Sequence, residues 1–323
     1  MKPIKEYIIL QRQNEARQSF DYNITFRMNQ TCNLSCEYCE WKNGENYPYT
    51  LECIEKIYDY FKEYKIKRVH FYFHGGEPTI HPKIIQTLEK IRDRQEKDNI
   101  YTYIEYQTNF AYNKKMLKKI LPLIDCLSIS YHYKELKQKK LHQQFIKNFA
   151  YLKLINYQIG RLDIMMEDIS DVDIFYKNIE CLFKYKNIKF SEMIYSFMFT
   201  STNNETKEKH LNYYKVNNIN EQLYKIDDII YNTNELFIEG LDCSGWKCDA
   251  GKKHIYLDGD GLIFNCATES TYYNMINAPQ EVKPLTNILT DSKYMTKLAI
   301  KRKIGTLCKY NYCTGDFYIE RTK

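Results

Sequence analysis

The sequence predicts an α/β fold built on a parallel sheet or partial (β/α)6 barrel, and two observations predict it. Apolar runs of strand length alternate with stretches of helical spacing through the first two thirds of the 323 residues. Cysteines, glycines and short polar motifs collect where the predicted strands end, which is the edge at which parallel α/β folds bind ligands. Repeated βα units of this kind are typical of a parallel sheet.

Six strands are predicted from runs rich in aliphatic and aromatic residues. The first strand, 22–29, leads into a cysteine-rich loop, and the second, 67–74, ends at two glycines. The other four are predicted at 99–109, 126–132, 161–166 and 188–199.

Helices are predicted between the strands. Residues 50–65 carry apolar side chains at helical spacing, and the helix predicted at 81–95 has a proline at its start. Further helices are predicted at 114–124, 134–156 and 171–185.

The alternation of strands and helices stops near residue 200. Residues 201–234 are polar and would frame a substrate entrance, and five of the eleven cysteines fall in the last 81 residues. We therefore expect two domains, 1–235 and 236–323.

Charge and composition limit the function classes. Lys and Arg total 47 against 41 Asp and Glu, and the basic runs are typical of solvated faces, so a nucleic-acid partner is not indicated. No run approaches the ~18 apolar residues of a membrane span, and the N-terminal segment lacks a signal-peptide pattern. We expect a cytoplasmic protein without a membrane partner, in which cysteines are metal ligands or catalytic thiols before they are disulfides.

The stretch "TCNLSCEYCEW" places Cys32, Cys36 and Cys39 within eight residues. Three thiols are one too few for a closed tetrahedral metal site. One interpretation is an iron–sulfur cluster with an open iron. The other is structural zinc with a fourth ligand such as His70 or His74.

The spacing Cys-x3-Cys-x2-Cys, with Tyr38 before the third cysteine, resembles the radical SAM superfamily. The stretch "HFYFHGGEP" at the end of the second strand matches that family's glycine-rich motif, and the resemblance covers most of residues 20–200 in element order. It implies a [4Fe–4S] cluster whose open iron binds S-adenosylmethionine. It also implies reductive cleavage of that cofactor to a 5′-deoxyadenosyl radical, which abstracts hydrogen from a substrate.

The resemblance also implies which residues contact the cofactor. The glycine motif would bind its ammonium group, and polar residues after the third and fourth strands would reach its ribose or carboxylate. Residues given this role are Gly75, Gly76, Glu77, Pro78, Asn109 and Ser130. Lys140 or His142 are candidates for pairing with the carboxylate. His132, where family members often have Asp, would touch substrate or lie on the surface.

The tail resembles the auxiliary-cluster domain appended to many radical SAM enzymes, called SPASM in its long form and twitch in its short form. Gly261 and Cys266 form Gly-x4-Cys within an apparent hairpin, "IYLDGDGLIFNC". Five cysteines favour the short form, with one further [4Fe–4S] cluster held by Cys248, Cys266, Cys308 and Cys313. A zinc knuckle is the alternative.

Cysteines outside these sets have other expected roles. Cys243 would be a cluster ligand in place of Cys248, an inert thiol or a catalytic hydrogen donor. Cys53, Cys126 and Cys181 lie in apolar patterns and are expected to be buried core thiols.

The expected function is modification of a ribosomally made peptide by crosslinking, epimerisation or oxidation, with flavodoxin or ferredoxin as electron donor. Few residues precede the first strand, so a separate leader-peptide domain is not expected. One alternative is oxidation or rearrangement of a small molecule such as a sugar or nucleotide. Another is a non-catalytic, metal-stabilised electron-transfer or interaction protein.

Overall fold

The computed structural model describes eleven stretches of the chain, and all structural statements refer to them. They are 19–37, 39, 44–157, 159–166, 194–199, 223–226, 229–232, 244–248, 250–274, 281–309 and 321–322. The predicted helix 171–185, the boundary near 235 and most of the polar insert lie outside these residues, as do Cys181, Cys243 and Cys313. Of the insert, only 223–226 and 229–232 are described.

The central feature is a nine-stranded sheet in the order β12-β11-β10-β1-β2-β3-β4-β5-β6. All pairings from β10 to β6 are parallel, and those of β11 are antiparallel. The strands are β1 (Tyr22–Arg27), β2 (Arg68–His74), β3 (Tyr101–Thr108), β4 (Cys126–His132), β5 (Arg161–Met166), β6 (Ile194–Phe199), β10 (His254–Asp258), β11 (Leu262–Phe264) and β12 (Thr286–Asn287).

Two small sheets accompany it. One is the antiparallel pair β7 (Leu223–Ile226) and β8 (Ile229–Asn232). In the other, β9 (Lys247–Cys248) lies between β13 (Thr306–Leu307) and β14 (Arg321–Thr322).

Helices connect the strands as the alternation predicts. The described α-helices are α1 (Thr50–Glu63), α2 (Ile84–Asp98), α3 (Lys114–Ile120), α4 (Tyr133–Gln138), α5 (His142–Leu154), α6 (Ala267–Asn274) and α7 (Tyr294–Ile304). Short 3-10 turns add Pro78–Ile80 and Leu121–Leu123. Among the described residues, no helix combines the length and the apolar character that crossing a bilayer would need.

The prediction of one long helix at 134–156 is wrong, because α4 and α5 are separate helices. Lys140 between them has φ of 58°, in the left-handed region that helical residues do not occupy. The backbone N–H of Leu141 then bonds the Leu136 carbonyl at 2.7 Å, which closes the first helix. Lys140 therefore marks a corner of the chain.

The strands separate apolar from polar side chains on opposite faces of the sheet. In β1 one face carries Tyr22, Ile24 and Phe26, and the other carries Asn23, Thr25 and Arg27. Helix α1 covers the apolar face, where the rings of Tyr58 and Phe71 stack with centroids 6.1 Å apart. Burying a side chain such as Phe71 stabilises the fold by about 1.5–3 kcal/mol. The opposite face of the sheet carries the polar side chains.

The tail hairpin is continuous with the main sheet. Strand β10 pairs in parallel with β1 in the register Asn23 to His254 and Arg27 to Asp258, and β11 returns antiparallel beside it. The described part of the tail thus adds three strands to the sheet that carries the cysteine loop.

Candidate functional site

The three-cysteine loop starts where β1 ends, at the carboxyl edge of the parallel strands. Cys32 is exposed, Cys36 is buried and Cys39 is half-buried. The Leu34 N–H donates to the Cys32 Sγ at 3.4 Å, and the Cys39 N–H donates to the Cys36 carbonyl at 3.1 Å. The loop therefore folds back on itself around its sulfur atoms.

The two glycines after β2 let this loop approach the strand end. The Gly76 N–H bonds the Asn29 carbonyl at 3.0 Å, and the Glu77 N–H bonds the Thr31 carbonyl at 2.8 Å. A Cβ on Gly76 would lie 1.9 Å from the Thr31 oxygen, and Gly75 has φ of 144°, which side chains rarely adopt. The two glycines thus allow the end of β2 to approach the chain's own cysteine loop closely.

Glu77 joins the ends of β2 and β3. Its carboxylate is buried and accepts bonds from the Thr79 N–H at 3.0 Å, the Thr108 hydroxyl at 2.8 Å and the Asn109 N–H at 2.7 Å. Burial raises the pKa of Glu77, and these donors oppose the rise. The side chain also caps the turn that Pro78 begins. Contact with the cofactor's ammonium group stays a prediction for Glu77 and Pro78.

Asn109 lies directly against the cysteine loop. Its side-chain N–H group donates to the Asn33 oxygen at 2.6 Å and to the Cys32 Sγ at 3.7 Å. Phe110 follows with φ of 61°, and its buried ring contacts Phe145 edge-on. Phe110 therefore takes a left-handed backbone conformation, which is unfavourable for a non-glycine residue. Burial of its ring offsets that cost.

Strand β4 brings two further residues to the same edge. Ser130 is buried and its hydroxyl accepts a bond from the Gln107 side chain at 2.7 Å. His132 lies with Nδ1 3.6 Å from the Cys36 Sγ, and burial lowers the pKa of its imidazole to about 4. The half-buried ring of His132 thus contacts a loop cysteine and does not lie on the open surface, and contact with substrate stays a prediction.

Two other candidate imidazoles contact groups outside the cysteine loop. His142 lies 2.9 Å from the Tyr131 hydroxyl. His70 lies between Asn23 and Glu105, at 3.1 and 3.2 Å, so it is not placed to complete a zinc site with the loop.

The polar face of the sheet carries a buried ion pair that the motifs did not reveal. Arg27 donates to both oxygens of Asp258, with Nε to Oδ1 at 2.9 Å, and both side chains are inaccessible to solvent. Burial raises the pKa of Asp258, and the guanidinium opposes that rise. Beside this pair, the Tyr256 hydroxyl bonds the His74 ring. The alternation of polar residues in β1 and β10 was the available signal for this network.

Two of the tail cysteines, Cys248 and Cys308, lie in or next to neighbouring strands of the small sheet. The Cys308 N–H bonds the Trp246 carbonyl at 2.8 Å, and Cys248 pairs across the small sheet with Thr306. Cys308 also packs in a cluster of apolar residues that includes Ala267, the neighbour of Cys266. Cys243 and Cys313 lie outside the described residues.

The remaining cysteines differ. Cys53 is fully buried, which confirms its expected place in the core. Cys126 is half-buried and contacts Tyr103 on the polar face, so its assignment to the apolar core was wrong. The strand alternates at this position, and Leu127 takes the apolar side.

The donor set fits iron–sulfur ligation in both loops. The Ala250 N–H donates to the Cys248 Sγ at 3.4 Å, repeating the bond from Leu34 to Cys32, with each donor two residues after its cysteine. Amide hydrogen bonds of this kind stabilise a negatively charged sulfur ligand. In the described part of the chain, the three ligand atoms gathered within 4.8 Å belong to Cys36, His132 and Glu135 rather than to the three loop cysteines. A cluster, which spreads its cysteines over separate irons, suits this loop better than one ion.

Comparison with known proteins agrees with this geometry. Residues 27–166 match the family model described as the Radical SAM superfamily. No curated protein matches the chain. Streptococcus suis SuiB bound to S-adenosylmethionine has a similar fold, with 15% identity and a TM-score of 0.53 over 88% of this chain and 67% of that one.

A second similar structure is native anSMEcpe with bound AdoMet and the Cp18Cys peptide. It has 15% identity and a TM-score of 0.50, over 86% of this chain and 79% of that one. Residues 27–166 thus match the Radical SAM superfamily model, and both solved structures share the α/β fold of this chain.

Proposed function

We propose that this chain uses its cysteine loop to hold a [4Fe–4S] cluster and acts as a peptide-modifying radical SAM enzyme. The observation that carries the proposal is the docking of the loop on Gly76 and Glu77 through two backbone hydrogen bonds. With S-adenosylmethionine bound at the open iron, the cluster would supply one-electron chemistry that abstracts a hydrogen atom from a substrate.

The chain's own residues hold and orient these groups. Cys32, Cys36 and Cys39 would be the cluster ligands. Asn109 fixes the Cys32 side of the loop, and Glu77 ties the glycine turn to β3. Gly75, Gly76, Pro78 and Ser130 complete the proposed cofactor surface. The half-buried Tyr72, His74 and Gln107 line the polar face on which a substrate would lie.

A second [4Fe–4S] cluster belongs to the proposal for the tail. Cys248, Cys266, Cys308 and Cys313 are its proposed ligands, and the pairing of the strand of Cys248 with the strand that leads into Cys308 supports it. After anaerobic reconstitution the chain should hold about eight irons, and replacing Cys32, Cys36 and Cys39 together with Ala should leave about four. A wild-type plateau at four irons would contradict the proposed tail cluster. Stoichiometric zinc would contradict the iron–sulfur assignment as a whole.

A peptide substrate is favoured because anSMEcpe, a structure of similar fold, has a bound peptide. A small molecule such as a sugar or nucleotide is the other candidate. Peptides and small molecules deuterated at carbon distinguish them, since the true substrate should transfer deuterium to 5′-deoxyadenosine. Transfer from a sugar or nucleotide alone would contradict the peptide proposal.

Cys243 has three proposed roles that one variant separates. Loss of about four irons in Cys243→Ala would identify a ligand, and full activity would identify an inert thiol. Intact clusters with continued 5′-deoxyadenosine formation, but no solvent deuterium in the product, would identify a hydrogen donor. The electron donor is proposed to be a flavodoxin or ferredoxin.

A further inference from the structure

Three side chains gather at the middle cysteine of the loop, with Cys36 and Glu135 buried and His132 half-buried. The Cys36 Sγ, a ring nitrogen of His132 and a carboxylate oxygen of Glu135 all lie within 4.8 Å of one another. The Cys36 Sγ and His132 Nδ1 atoms are 3.6 Å apart. Cys36 and Glu135 are each 6% exposed.

The imidazole and the carboxylate come from two neighbouring elements, β4 and α4. His132 is the last residue of β4, and Glu135 lies in the first turn of α4. At the carboxyl edge of the sheet, an imidazole and a carboxylate thus lie next to the middle cysteine of the loop. Neither residue belongs to the three-cysteine motif or to the glycine motif.

An imidazole and a carboxylate have opposite effects on a cluster thiolate. A cysteine that ligates iron carries no proton, so in the His132–Cys36 contact only the imidazole can donate. A donor to a cluster sulfur stabilises the reduced, more negative cluster and raises its reduction potential. A nearby carboxylate adds negative charge and lowers that potential.

We propose that His132 and Glu135 are positioning residues that set the reduction potential of the N-terminal cluster through Cys36. The inference rests on the proposed function, because it requires the cluster on the cysteine loop. The two side chains act in opposite directions, His132 raising the potential by its N–H bond and Glu135 lowering it by its charge.

The test measures the midpoint potential by redox titration followed by electron paramagnetic resonance. Cys248, Cys266 and Cys308 are replaced by Ala in every sample, so that only the N-terminal cluster contributes. His132→Phe should shift the midpoint to more negative values, and Glu135→Gln should shift it to more positive values. His142→Phe, whose ring bonds Tyr131, is the matched control and should leave the midpoint unchanged.

A second readout needs no variant. In protein labelled with 15N-histidine, the reduced cluster should show hyperfine coupling to a histidine nitrogen. Unchanged midpoints in both variants, or no histidine coupling, would overturn the inference while leaving the cluster assignment intact. One zinc per chain, lost in His132→Phe, would instead mean a single-ion site at these three atoms and would overturn the cluster assignment as well.

Discussion

Replacing Gly76 with alanine tests the contact on which the site depends. The new Cβ would lie 1.9 Å from the Thr31 carbonyl oxygen and 2.8 Å from the Gln30 carbonyl carbon. Both atoms belong to backbone, so no side chain can rotate away to relieve the clash. The cysteine loop must move off the end of β2.

The magnitude follows from the bonds that this movement breaks. Three hydrogen bonds join the loop to the turn: Gly76 N–H to Asn29, Glu77 N–H to Thr31, and the Asn29 side chain to the Glu77 carbonyl at 3.0 Å. At about 1 kcal/mol each, their loss lowers the free energy of unfolding by about 3 kcal/mol. Overpacking of ordered interiors costs about 1–3 kcal/mol, a similar range.

Urea unfolding of the metal-free chain, followed by circular dichroism, measures this loss. Iron analysis after reconstitution should show about four irons fewer than wild type. Gly245→Ala is the control, because its Cβ meets no atom within 4 Å although φ is 83°. It should cost about 1–2 kcal/mol and keep the N-terminal cluster. A Gly76→Ala chain with wild-type stability and full iron would refute the reasoning.

Three further variants probe the surroundings of the site. Asp258→Asn leaves the buried Arg27 guanidinium without its carboxylate and should cost about 3–5 kcal/mol in urea unfolding, whereas Glu281→Gln in an exposed ion pair should cost almost nothing. Glu77→Gln should weaken S-adenosylmethionine binding about tenfold by calorimetry while both clusters remain, and unchanged affinity would count against its role. Burial lowers the pKa of His74 to about 3, so below its ordinary value of 6.5 the unfolded chain binds a proton that the folded chain does not. Between pH 7 and 5 the wild type should therefore lose about 2 kcal/mol more stability than His74→Gln, and equal losses would contradict a ring that stays neutral in the folded chain.

The first strands and the motif positions were predictable because they depend on local pattern. The strand predicted at 126–132 is confirmed residue for residue, and the 161–166 strand likewise, since each is an apolar run ended by polar residues. The cysteine loop and the glycine motif fall at strand ends, as the alternation predicts. Parallel strands then bring those ends to one edge.

Long-range pairing was not predictable from local pattern. Nothing near residue 254 indicates that β10 would pair with β1, more than 200 positions earlier in the chain. Contact between His132 and Cys36 has the same origin, because α/β topology and not sequence spacing brings them together. The corner at Lys140 had no signal either, since lysine does not favour a left-handed conformation.

Reductive cleavage of S-adenosylmethionine tests the central claim most directly. The reconstituted chain is incubated anaerobically with dithionite and the cofactor, and 5′-deoxyadenosine is quantified. Wild type should form it, and the chain with Cys32, Cys36 and Cys39 replaced by Ala should form none while retaining iron in its tail. Equal 5′-deoxyadenosine from both chains, or none from an iron-loaded wild type, would contradict the account.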